Sequence, residues 1–88
     1  MKNLGQFQEA LDCYEKAIAI QPENFESFNN IGVVLDKLGL EDEAIEAYEK
    51  AIRINPDFAE GYFNRGQVLK NQMRFPEALA SFELAYIL

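Results

Sequence analysis

The sequence predicts an all-α chain: an α-solenoid of stacked antiparallel helix pairs, about two and a half repeats and five helices long. Three observations carry this. Leu4-Gly5, Glu9-Ala10, Tyr14-Glu15-Lys16-Ala17-Ile18, Ile20 and Pro22 return 34 residues later as Leu38-Gly39, Glu43-Ala44, Tyr48-Glu49-Lys50-Ala51-Ile52, Ile54 and Pro56. A looser third copy runs through Glu77-Ala78, Phe82-Glu83 and Ala85. Self-similarity at this period marks one supersecondary unit stacked repeatedly. Within a unit, Ala44, Ile45, Tyr48, Ala51 and Ile52 share one helix face while Glu46, Glu49, Lys50 and Arg53 share the other. The connections between such stretches are short and marked by glycine or proline.

In order, helices are expected over about residues 7–20, 24–38, 41–54, 58–71 and 75–87. The first is stopped by Pro22, because proline cannot continue the hydrogen-bond ladder. The second opens on Asn24 as N-cap and ends where Gly39 suits a left-handed cap. Glu41-Asp42-Glu43 opens the third, where negative charge meets the positive end of the helix dipole and contributes about 0.3–1 kcal/mol per residue. Pro56 ends it, and Asp57 is the expected N-cap of the fourth. Pro76 falls in the first turn of the fifth, where a missing N–H costs little. Met73 stands where the earlier copies have Gly5 and Gly39, so a different turn is expected there. Small residues (Ala10, Gly32, Ala44, Ala51, Gly66, Ala78) mark close helix approaches, and Tyr14, Tyr48 and Phe82 supply the bulk between units.

Charge and composition limit the function classes. Lys plus Arg number 8 against 15 Asp plus Glu, a formal charge of −7, so nucleic acid and anionic membrane are not expected partners. A protein or peptide is. No apolar run approaches the roughly 20 residues of a membrane span, no signal segment opens the chain, and Cys13 is alone, all of which fit a cytoplasmic protein. Histidine is absent, which removes the commonest general base and most zinc sites. The carboxylates Glu46 and Glu49 recur as solvated surface, and Cys13 matches the small residues Ala47 and Ser81 in register, which reads as packing. No enzyme, metal or cofactor is expected.

The pattern Phe28-x2-Ile31-Gly32-x2-Leu35, then Ala44-x3-Tyr48, then Pro56 resembles the tetratricopeptide repeat. The resemblance covers nearly the whole chain as one domain, 1–88. Residues 1–24 form the second helix of a truncated repeat, 25–58 a complete repeat and 59–88 a nearly complete one. Phe28 and Tyr62 stand in for the signature tryptophan. Arg65 replaces the apolar residue at Ile31, so either its stem lies along the apolar surface with its charged end in water or the third unit packs loosely.

The resemblance implies that the first helix of each unit lines a concave wall that holds an extended peptide or a helix. The wall candidates are Glu26, Asn29, Asn30, Val33, Asp36 and Lys37, and one period on Glu60, Phe63, Asn64, Gln67, Lys70 and Asn71. Asn30 and Asn64 are an identical pair whose amides would grip a peptide backbone, against the alternative that each bonds a neighbouring helix or faces water. Phe63 would be an apolar anchor or a core residue, and Lys37 and Lys70 would meet a carboxylate. The expected function is a protein–protein interaction scaffold. The alternative is a targeting or substrate-recruiting segment of a larger enzyme such as a glycosyltransferase. The first helix lacks its pair and the last ends in Leu84, Tyr86, Ile87 and Leu88, so a homo-oligomer through uncapped terminal helices is also expected.

Overall fold

In a computed structural model, which describes residues 2–88 and the side chains from Gln6 onward, the chain forms α1 (Lys2–Ile20), α2 (Phe25–Lys37), α3 (Glu41–Ile54), α4 (Ala59–Asn71) and α5 (Phe75–Ile87). These are the five expected helices. Four of them lie within a residue of their expected ends; α1 instead runs back through Gly5, because no described helix precedes it to fold the chain into a turn there. Consecutive helices pack as antiparallel pairs: α2 on α3 and α4 on α5, with α3 also against α4, α1 against α2, and a narrower contact between α2 and α4. The result is two layers, α2 and α4 in one and α1, α3 and α5 in the other, within extents of 34 × 30 × 15 Å.

The helix ends show why local rules were followed or overridden. Asn24 caps α2 as expected, its Oδ1 accepting from the Ser27 N–H at 3.1 Å. Asp57 does not cap α4. That helix starts at the same register place as α2, so its N-cap is Phe58, one period after Asn24 and without a side-chain bond. Asn55 Oδ1 accepts from the Asp57 N–H at 3.2 Å and closes the preceding turn, while the Phe58 ring meets Phe25 edge-on at 4.9 Å. The expectation for Met73 is also overturned. Its φ is +62°, in the left-handed region occupied by Gly39 at +82°. The bonds match as well: Met73 N–H to Lys70 O and Arg74 N–H to Leu69 O, both 2.9 Å, repeat Gly39 N–H to Asp36 O and Leu40 N–H to Leu35 O. Packing of the hairpin imposes the turn, and methionine bears the steric cost.

The core sits between the layers. Ala44, Ile45, Tyr48, Val68, Leu69 and Ala78 form one buried cluster with Val33, Leu35 and Phe82 against it. Small and large residues alternate as expected: a Cβ on Gly32 would come within 2.5 Å of the Tyr48 ring, and one on Gly66 within 2.7 Å of Phe82. Arg65 neither reaches free solvent nor loosens its unit. Its Nε donates to Ser81 Oγ at 3.0 Å, its Nη1 lies 3.7 Å from Glu49, and its guanidinium sits over the Tyr62 ring at 5.4 Å. Cys13 is exposed, unlike its counterparts Ala47 and Ser81, because α1 lacks the two helices that cover Ala47. Among the described residues no helix is long and apolar enough to cross a membrane.

Candidate functional site: the inner wall and its open end

The inner layer places the candidate residues in three different settings. Asn29 is buried, 2 % exposed, because α4 lies over it. Its Oδ1 accepts from Asn64 Nδ2 at 3.0 Å and its own Nδ2 donates to Glu60 Oε2 at 3.5 Å, so this amide fastens α2 to α4. Asn64 is therefore half-buried and engaged by the scaffold, whereas Asn30, its partner in register, is exposed. Identical residues one period apart have different neighbours because Asn29 and Phe63, the residues beside them, differ.

Val33 is half-buried against the core, and Lys37 is exposed in the last turn of α2, where a cation favours the negative end of the dipole. Lys70 holds the same place in α4. Between α2 and α4 the surroundings are negative: the buried Tyr48 phenol is pushed well above the usual tyrosine range, first by burial and then by the Asp36 and Glu60 carboxylates.

Phe63, Gln67 and Lys70 come together at the far end. With Phe82, Ala85 and Tyr86 of α5 they line a cavity of about 510 Å³, in which the Phe63 and Phe82 rings lie 5.6 Å apart. The α5 contributors were not among the sequence candidates. The signal that finds them is the 34-residue register, since Phe82, Ala85 and Tyr86 follow Tyr48, Ala51 and Ile52 by one period. A second cavity of about 910 Å³ lies along Ala80, Phe82, Glu83, Leu84, Tyr86 and Ile87, so α5 is apolar on both flanks. The groups gathered here are amides, ammonium ions and aromatic rings, which hold a ligand by hydrogen bonds, charge and apolar burial. Among the described residues no three acidic or cysteine side chains converge to hold a metal ion.

Two family models match the chain. One is described as a TPR repeat and covers residues 3–39 and 42–72; the other, a tetratricopeptide repeat, covers residues 26–55. Among solved structures, the chain is similar to a crystal structure of MamA, with 34 % identity and a TM-score of 0.88 over 94 % of this chain and 48 % of that one. A second MamA structure gives 34 % and 0.85, over 93 % of this chain and 45 % of that one. The chain thus spans about half the length of the MamA structures it matches. It is similar in fold to the second TPR of Spaghetti (RPAP3) bound to the HSP90 peptide SRMEEVD, with 23 % identity and a TM-score of 0.88 over 98 % of this chain and 80 % of that one. No curated protein matches the chain.

Proposed function

This chain belongs to the tetratricopeptide repeat family, and on that footing we propose that it is a protein-interaction scaffold whose inner wall holds an extended peptide or a helix and performs no chemistry of its own. The observation that carries the reading is the side-by-side placement of α2 and α4, which sets Asn30, Val33, Asn64 and Lys37 along one layer while α3 and α5 brace it from behind. An exposed asparagine amide offers both a donor and an acceptor to a peptide backbone, and Lys37 adds attraction for a carboxylate. The fold shared with the peptide-bound RPAP3 unit supports a wall of this shape as a peptide holder; the ligand is set by the side chains present here.

The test begins with peptides selected from a displayed library against the folded chain. Titrating the best of them into isotope-labelled protein should shift the amides of Asn30, Val33, Lys37 and Asn64, and Asn30→Ala should weaken binding about fivefold, roughly 1 kcal/mol, at unchanged helicity. Asn64 is the poorer probe. Its removal leaves the buried Asn29 carbonyl oxygen unpaired and costs about 1–3 kcal/mol of stability, confounding the readout. A library that yields no binder, or shifts confined to the outer layer, removes the reading.

A further inference from the structure

The internal junction of the array shows what its open end is shaped to receive. α4 sits on a seat made by α2 and α3, and each residue of that seat recurs 34 positions later on α4 and α5. Asn29, Ile45 and Ile52 are 2 %, 8 % and 9 % exposed beneath α4; their counterparts Phe63, Leu79 and Tyr86 are 47 %, 59 % and 91 % exposed. The terminal seat therefore repeats the internal one in outline and lacks only the helix. Its chemistry differs at two points: an aromatic ring, Phe63, replaces the Asn29 amide, and an ammonium, Lys70, replaces the Asp36 carboxylate.

How α4 is held gives the register of the missing helix. Glu60 and Asn64, 31 and 35 residues beyond Asn29, bracket that amide. Gly61 lies close enough to Ile52 that a Cβ would come within 3.1 Å of its Cγ1, and Val68 and Leu69 share the cluster of Ile45 and Tyr48. The same offsets from Asp36 reach Gln67 and Asn71. We propose that Phe63, Lys70, Leu79, Phe82 and Tyr86 form a docking seat for an amphipathic helix of a partner protein that carries a small residue at its crossing point, apolar residues opposite Phe63 and carboxylates opposite Lys70. A second folded copy does not supply that helix: α2 and α4, the described helices with the matching face, already have it covered, α2 between α1 and α3 and α4 between α3 and α5. Copies also repel, each carrying −7.

The occupant can be written down as a probe. A blocked, fluorescent peptide of residues 59–71 carrying Glu60→Leu, Asn64→Leu, Gln67→Glu and Asn71→Glu keeps Gly61, Val68 and Leu69 and fits the two altered points. Thirteen residues are marginal as a free helix, so binding should be accompanied by a gain in helical circular dichroism. The expected result is that the native chain binds this peptide at least about tenfold more tightly than the unaltered 59–71 peptide. Phe63→Asn combined with Lys70→Asp, which gives the terminal seat the residues of the internal one, should reverse the preference. Asn30→Ala should leave this binding unchanged, which separates it from the peptide trough. Absence of binding, equal affinity for the two peptides, or an unreversed preference in the double variant overturns the proposal. So does a dimer of the native chain in sedimentation that Tyr86→Asp dissociates, since a second copy would then be the occupant.

Discussion

Met73 adopts a backbone conformation that costs an L side chain about 1–2 kcal/mol, and it does so because the bonds to Lys70 and Leu69 are the same as those Gly39 makes without strain. Met73 is also 76 % exposed, so its side chain offsets little of that cost. Met73→Gly should therefore raise stability by about 1 kcal/mol in chemical denaturation, the reverse of the usual effect of introducing glycine. Tyr48 stores a different dependence. Its folded pKa lies above the ordinary value of 10.0, through burial first and the Asp36 and Glu60 carboxylates second. Below pH 10 both folded and unfolded chains hold the phenolic proton and the stabilisation is complete; as pH rises further the unfolded chain releases it first and stability falls. Denaturation midpoints measured upward from about pH 10 should drop more steeply in the native chain than in Tyr48→Phe.

At the scale of helices, the third unit departs from the second through two linked substitutions. Where the second unit has Ile31 and Ala47, the third has Arg65 and Ser81, and the two meet in a 3.0 Å hydrogen bond with Ser81 buried at 1 % exposure. Either partner alone is a misfit: Arg65→Ile leaves a buried hydroxyl without its donor, and Ser81→Ala takes the acceptor from a half-buried guanidinium. The single variants should each cost about 1–3 kcal/mol, and the pair Arg65→Ile with Ser81→Ala should cost less than their sum by 0.5 kcal/mol or more, read as the coupling in a double-mutant cycle. The sequence made the helices legible because every unit restates the same apolar spacing, and Asn24, Pro76 and the alternation of Gly32 with Tyr48 and Gly66 with Phe82 follow from it. It did not disclose Asn29 as a fastener, Phe58 as the N-cap or the left-handed turn at Met73. Each of these depends on what lies across an interface, 31 and 35 residues away for Asn29, and local propensity carries no record of that neighbour.

For the whole molecule, stability in a linear array accumulates from each helix and its nearest neighbours. α3 is packed on both sides, by α2 and α4, whereas α1 rests on α2 alone. Native-state hydrogen exchange should accordingly find the slowest amides in α3 and the inner turns of α4 and the fastest in α1, and uniform protection across all five helices would contradict nearest-neighbour additivity. The apolar surface of α5 is the other consequence of finite length: Leu79, Tyr86 and Ile87 are exposed where their counterparts in α3 include the buried Ile45 and Ile52. The bond between Arg65 and Ser81 also bears on how near-identical hairpins avoid misassembly while the chain is being folded. A hairpin that slipped into its neighbour's slot would set the guanidinium against the methyl group of Ala47, with no oxygen to receive its hydrogen. That one mismatched address penalises wrong docking orders, so a chain built by copying itself still has a single sequence of assembly.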